Sequence, residues 1–298
     1  MQRANTFGNK NRAETGQYKA DHLMKMSIII PASNEAHWIS ACLEAVLASE
    51  RLDGAQIIVV ANGCQDKTAE ISRRYSVLAS EKGWALEVLE LEIGNKLHAL
   101  NVGDRAAKGD VRVYLDADVR VSPRILWQIG RALDRETPAW ASGKLQMAAA
   151  SRISRAYAKF WGKVPFMAKS VPGAGLFAVN IAGRARWQDF PDIISDDMFV
   201  RLNFAPRERL AVPGTYIWPV AEGWKNLVKV RRRQNMGVAQ LAERYPRLMN
   251  NEDKGTVSKG HMLNLAVSNP FGFCVYASVA LYVRLTKDQA GTDWRRGR

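Results

Sequence analysis

From Met26 to Asp118 the hydrophobic and polar positions alternate between two periods. "MSIIIP" (26–31) and "AQIIVVA" (55–61) are short unbroken apolar runs, the form a strand takes when both its faces are buried. "ALEVLEL" (85–91) alternates residue by residue, and "DVRVYLDAD" (110–118) ends an alternating run on two acids; these predict a third and a fourth strand. Between the strands the period lengthens. Ile39, Leu43, Val46 and Leu47 fall at helical spacing behind Ser33 and Asn34, either of which can cap. A turn at Asn62-Gly63 leads into a helix near Asp66 with Ile71, Tyr75 and Leu78 on one face. "NKLHALNVGDRAAKG" (95–109) predicts a helix closed by Gly109. The alternation predicts an α/β fold with a mainly parallel central sheet and helices on both faces.

After Pro123 the pattern loosens. A helix over "RILWQIGRALDR" and a strand over "AWASGKLQM" are followed by "SRISRAYAKFWGKVPFMAKS", helical in pattern but interrupted at Gly162 and Pro165. "VPGAGLFAVN" is a Gly-bearing loop running into a strand, "ISDDMFVRLNF" opens a helix on two acids, and "GWKNLVKVRRRQNMGVAQLAERY" predicts a long basic helix. No repeat, low-complexity tract or linker divides the chain, so the second half is expected to complete a site begun by the first. Residues 1–25 are expected to be a disordered lead-in, with no apolar core of a secretory signal.

The 298 residues are 47% hydrophobic, enough for a sizeable core, and carry 43 Lys and Arg against 29 Asp and Glu. The resulting +14 suggests an anionic partner: nucleic acid, a phosphorylated substrate or an anionic membrane surface. Cys42, Cys64 and Cys274 are scattered, which supports neither a disulfide framework nor a zinc site and favours a cytoplasmic location.

Asp116 and Asp118 pose the sharpest question. Two carboxylates about 5 Å apart repel by roughly 3 kcal/mol at an effective dielectric near 20, so a counter-charge is expected between them. A simple turn is the plainer alternative. In parallel sheets ligands sit at the carboxyl ends of the strands, where Asn34, Asn62 and this acidic pair all fall.

"IIIPASNEA", "IIVVANGCQDKT", "NKLHALNVGDRAAKGD", "VYLDADV" and "SDDM" stand in the order and spacing of the family 2 glycosyltransferases, which the chain resembles from Met26 to Gly237. The resemblance implies a GT-A fold over 26–260, a nucleotide-sugar donor with UDP-sugars favoured, a divalent Mg²⁺ or Mn²⁺, and transfer with inversion. It implies that Asp118 ligates the metal, that Asp116 contacts the ribose or the metal, and that the DxD run with Ala117 faces the donor. Pro31, Ala32, Asn34 and Glu35 match the family's first nucleotide-contacting loop, although a helix start alone explains such residues too. Asn62 stands where relatives often carry Asp, which weakens the case for uracil. Asp66 matches a further acid but is also a natural helix cap. Lys96 matches a donor-contacting base, with a solvated lysine as its rival. Asp196-Asp197 matches the family's catalytic Glu-Asp pair. Neighbours on a helix point about 100° apart, so one of the two, Asp197, is expected to be the base and Asp196 a supporting group. "VRRRQNMG" aligns with the QxxRW motif of polymerising members, with only Arg233 kept, which favours transfer of a single sugar. Arg231, Arg232 and Arg233 remain open between a diphosphate, a solvated face and a membrane patch.

The expected function is thus metal-dependent, inverting transfer of one sugar to a hydroxyl acceptor in surface polysaccharide or glycolipid assembly. A sugar nucleotidyltransferase would share the rhythm and ligands, but "PASNEA" is not a triphosphate-binding loop. A basic nucleic-acid-binding protein would suit the charge, but no reader motif is present, and no nucleic acid is expected as partner. The segment 261–298 forms a last expectation. "FGFCVYASVALYV" (271–283) is shorter than the roughly 20 apolar residues of a spanning helix and predicts an interfacial helix first, a buried core helix second and a true span third, with the protein peripheral on the cytoplasmic membrane face in the first case.

Overall fold

The computed structural model describes residues 25–169, 171–255 and 257–286; the expected lead-in over 1–24 and the end of the tail lie outside the described residues. In chain order the first half gives β1 (Met26–Ala32), α1 (Ile39–Leu47), β2 (Ala55–Asn62), α2 (Thr68–Arg73), α3 (Ser76–Glu81), β3 (Ala85–Leu91), α4 (Lys96–Ala106) and β4 (Val111–Leu115). The second half gives β5 (Arg120–Val121), α5 (Ile125–Leu133), β6 (Trp140–Ala148), α6 (Arg152–Trp161), α7 (Pro165–Lys169), β7 (Leu176–Asn180), α8 (Ile181–Arg184) and α9 (Asp196–Leu202). It ends with β8 (Arg209–Pro219), α10 (Trp224–Arg244), α11 (Lys259–Ser268) and α12 (Pro270–Leu285).

The eight strands form one sheet in the order β3-β2-β1-β4-β7-β6-β8-β5. β3, β2, β1 and β4 run parallel, whereas β7 lies antiparallel to both β4 and β6. Successive side chains of the parallel strands enter opposite layers. Ile28, Ile30, Ile57 and Val59 pack with Ile39, Leu43 and Ile129 of α1 and α5. Ile29, Ile58 and Val60 pack on the other side with Leu97 and Leu100 of α4. All these side chains are buried, each contributing about 2 kcal/mol of transfer free energy. Burial on both faces is why β1 and β2 read as unbroken apolar runs. A third cluster joins Tyr157 of α6, Leu227 and Val228 of α10, and Val275, Val279 and Val283 of α12.

Several expected boundaries shift. β4 stops at Leu115, and Asp116 to Val119 form a tight turn closed by the Val119 N–H on the Asp116 carbonyl, 3.0 Å. The acids therefore sit in a turn, not on the strand. The single helix expected after Asp66 is two short helices, which leaves Leu78 exposed while Tyr75 hydrogen-bonds Glu44 through its hydroxyl, 2.7 Å. α1 begins at Ile39 with no side-chain cap: the Asn34 Oδ1 instead accepts from the Gln65 N–H, 2.8 Å. α4 ends at Ala106, before Gly109, whose N–H donates to Ser27 Oγ, 2.9 Å. β8 was not expected at all, because Pro213-Gly214 breaks its alternation.

Candidate active site

The chain runs outward from β1 to β2 and β3, then crosses back to β4 on the other flank of β1, so the strand order reverses between β1 and β4. At such a point the loops leaving the carboxyl ends diverge and open a crevice. Pro31 at the end of β1 and Asp116 after β4 line that crevice, which holds two adjoining cavities of about 190 and 170 Å³. Both are also lined by Lys96, Trp218, Val230 and Arg233. Glu35, Ala117 and Asp118 line the first, and Asp196 and Asp197 the second.

Lys96 joins the two acidic pairs. Asn95 caps α4 by accepting from the N–H groups of Leu97 and His98, which sets Lys96 on the first turn. Its Nζ lies 2.8 Å from Asp116 Oδ1 and 3.0 Å from Asp196 Oδ2. Burial alone would lower the Lys96 pKa, but the carboxylates of Asp116 and Asp196 outweigh it and hold the ammonium charged well above the ordinary lysine range. The counter-charge demanded by the acidic turn is therefore supplied in part by the chain itself, and the solvated-lysine alternative does not hold.

Asp196 and Asp197 diverge as adjacent helical residues should. Asp196 is buried against Lys96, whereas Asp197 also lines a third cavity, of about 340 Å³, with Trp161, Phe166, Met198 and Tyr276. Asp197 thus stands where the two spaces meet. Burial, then the neighbouring Asp196 charge, push its carboxyl up to about 6, against the pull of Lys96 and of the Met198 N–H that donates to Asp197 Oδ1 at 2.7 Å. Gly237 of α10 makes this placement possible: a Cβ there would come within 2.1 Å of Ser195 Oγ, just before the acids. Gly175 performs a similar service. At φ +74 its carbonyl accepts the Asp116 N–H at 2.9 Å, and a Cβ would meet the Trp218 ring at 2.7 Å.

The remaining expected residues serve the loops. Ala32, Asn34 and Asn62 do not line these cavities among the described residues. Asn62 Nδ2 donates to the Ala32 and Val60 carbonyls at 2.8 and 3.2 Å and so ties the β1 loop to β2. Asp66 accepts from the Ala36 N–H and the Thr68 N–H, both at 3.0 Å, and so ties the first residue of α2 to the Glu35 loop. Of the three arginines only Arg233 reaches the first two cavities. Arg231 lines the third cavity beside Tyr276, and Arg232 donates to Thr286 Oγ1 at 2.7 Å. Val230, Arg233 and Gln234, spaced i, i+3 and i+4, share the cavity face of α10. Trp161 and Trp218 were not anticipated. The only sequence signal for Trp218 is an aromatic beside Pro219 where the alternation has already failed.

Among the described residues no three His, Cys, Asp or Glu side chains gather to cage a metal. The donor set nevertheless fits a hard divalent cation that brings phosphate oxygens with it, because Mg²⁺ is commonly held by one or two carboxylates plus substrate phosphates. Asp118, 5% exposed and lining the cavity, and Asp116 would provide those oxygens.

Residues 27–171 match the family model described as Glycosyl transferase family 2. Glycosyltransferase AglE of Haloferax volcanii is 36% identical over 104 residues, 34% of this chain and 32% of that protein. Putative glycosyltransferase EpsH of Bacillus subtilis is 26% identical over 112 residues, 38% of this chain and 31% of that protein. The matches thus span about a third of the length of these curated relatives. Among solved structures, a mannosyltransferase from Pyrobaculum calidifontis in complex with GDP-Man and Mn²⁺ superposes with a TM-score of 0.57 at 20% identity, covering 88% of this chain and 76% of that one. TarS 1–349 of S. aureus in complex with UDP-GlcNAc superposes with a TM-score of 0.51 at 14% identity, covering 88% and 92%. With the sheet order and these superpositions in agreement, the chain has the GT-A fold, and residues 27–171, just under half of it, match the family 2 glycosyltransferase model.

Proposed function

We propose that the protein transfers a single sugar from a nucleotide-diphosphate donor, a UDP-sugar in the favoured case, to a hydroxyl acceptor with inversion at the anomeric carbon. The observation that carries this reading is the position of Asp197, shared between the cavity that holds Lys96, Asp116 and Arg233 and the cavity lined by Trp161 and Tyr276. The donor occupies the first space and the acceptor the second. Asp197, ionised above about pH 6, takes the proton of the attacking hydroxyl as its oxygen bonds to the anomeric carbon. Attack from the acceptor side, opposite the departing diphosphate, inverts the centre in one step. Lys96 and Arg233 face the diphosphate, and Asp196 holds Lys96 in place. Asp118, with Asp116, would hold Mg²⁺ or Mn²⁺, which supplies neutralisation of the leaving diphosphate when bound.

Val230 and Gln234, in place of the Gln and Trp of polymerising relatives, favour one transfer over chain extension. The basic charge and the uncharged run 271–283 favour a lipid-linked or polysaccharide acceptor met at the cytoplasmic membrane face. A thermal-shift panel of UDP-, GDP-, CDP- and dTDP-sugars, each with and without Mn²⁺, tests the donor assignment. A shift requiring both one nucleotide class and the metal is expected. No shift with any combination contradicts the reading.

A further inference from the structure

We infer that α12, flanked by α6 and α10, is a docking face for an anionic lipid bilayer. The inference rests on the membrane-facing part of the reading above and is independent of its sugar chemistry. The inner side of α12 is accounted for: Val275, Val279 and Val283 are buried against α6 and α10. The outer side presents Phe271, Leu281, Tyr282 and Leu285 to the exterior, with Leu285 74% exposed. Cys274 and Ser278 complete that ridge, so it carries no charge from Phe271 to Tyr282. α11 extends the same character with Leu263 and Val267, one turn apart and 66% and 73% exposed. A helix that is apolar on both sides has something covering its second side.

The charge around the ridge selects the cover. The helices α6, α10, α11 and α12 contain eleven Lys and Arg against one acid, Glu243 near the end of α10, and of the eleven only Arg231 and Arg233 line the cavities described above. Exposed Arg152, Arg155 and Lys159 run along α6, and exposed Lys225 and Lys229 along α10, the two helices between which α12 packs. An uncharged ridge between two basic rails matches an anionic headgroup layer above an acyl core. Trp224 stands at the border, its indole N–H on Ser278 Oγ at 3.1 Å and its ring edge-on to Tyr282, where interfacial aromatics belong. A second copy is a poor cover, because a two-fold contact through the ridge would set like-charged rails against each other. Among the described residues no helix is long and apolar enough to cross a membrane, so α12 would lie on the bilayer and not through it.

Co-sedimentation of the full chain with vesicles tests this. Neutral phosphatidylcholine vesicles are compared with vesicles holding roughly one-third phosphatidylglycerol. Binding is expected to the anionic vesicles alone and to weaken in about 1 M salt, where screening acts within about 3 Å. Leu281→Glu/Leu285→Glu and Lys225→Glu/Lys229→Glu should each lower the partition coefficient roughly tenfold or more, while Arg131→Glu/Arg135→Glu, on and just after α5, should not. Melting curves and the donor-induced thermal shift, unchanged in all three, separate lost docking from lost folding and from failure of the donor assignment. No binding by the wild-type chain overturns the inference. So does undiminished binding by Leu281→Glu/Leu285→Glu, or a wild-type dimer that this variant dissociates.

Discussion

The two acidic pairs of the crevice differ in how they are held, and the difference separates two tasks. Asp116 and Asp118 sit in a turn fixed at both ends by backbone hydrogen bonds, at the rim of the parallel half of the sheet. Asp196 and Asp197 open a short helix reached only after an excursion through β7 and α8, and α10 fastens them by the close approach of Gly237. The first pair sets Asp116 against Lys96 and Asp118 at the first cavity; the second sets Asp196 against Lys96 and Asp197 at the neighbouring cavity. A rigid turn of carboxylates suits a cation, and through it a diphosphate, that must be held and released unchanged. A helix start between two cavities suits a proton that must move.

Substitutions that break one pair and spare the other sharpen this contrast. Asp197→Asn should lower kcat by about 10²–10⁴-fold with donor affinity unchanged, read by steady-state kinetics beside donor titration. Asp118→Ala should act on the other side of the comparison. Donor binding should fall on the order of tenfold or more, and its dependence on Mn²⁺ should vanish, measured by calorimetric titration with and without metal. The pH profile comes next: kcat should fall about tenfold per pH unit below pH 6, the value to which burial and Asp196 raise Asp197. Asp197→Asn should flatten that limb in whatever activity remains.

The smallest effect is on stability. Because its folded pKa lies above the unfolded one, Asp197 favours folding fully only below about pH 4, and that contribution is lost as pH rises through about 6. Asp197→Asn should therefore stabilise the protein at pH 8 by on the order of 1–2 kcal/mol, with the gain shrinking toward pH 4 in denaturant melts.

How far the sequence carried differs between the same two regions. The parallel strands were legible because both faces of Ile28–Ile30 and Ile57–Val60 are buried, which leaves an unbroken apolar signature. The acidic turn was legible as a motif, though not as a turn: β4 stops at Leu115 because the chain folds back through the Val119 N–H on the Asp116 carbonyl, while the Asp116 N–H is held in β4–β7 register by the Gly175 carbonyl, a contact 59 positions away that no local pattern reveals. Lys96 illustrates the same limit. Its spacing suggested a donor contact, but its bridge between Asp116 and Asp196 depends on strand order, not on sequence neighbours. β8 and Trp218 were lost because Pro213 and Gly214 interrupt the alternation, yet β8 pairs with β6 on both sides of that break and carries the ring into the crevice. Asn62 taught a different lesson. Its side-chain N–H groups are spent on the Ala32 and Val60 carbonyls, so the residue shapes the loop from behind.

Central to the account is that holding the donor and accepting the proton are assigned to different acids on either side of Lys96. Titrating one nucleotide sugar with Mn²⁺ into Asp197→Asn, and following transfer in the same sample, tests that most directly. Wild-type affinity with transfer lost is the predicted result. Donor affinity that collapses together with transfer, or transfer that persists at the wild-type rate, would contradict it.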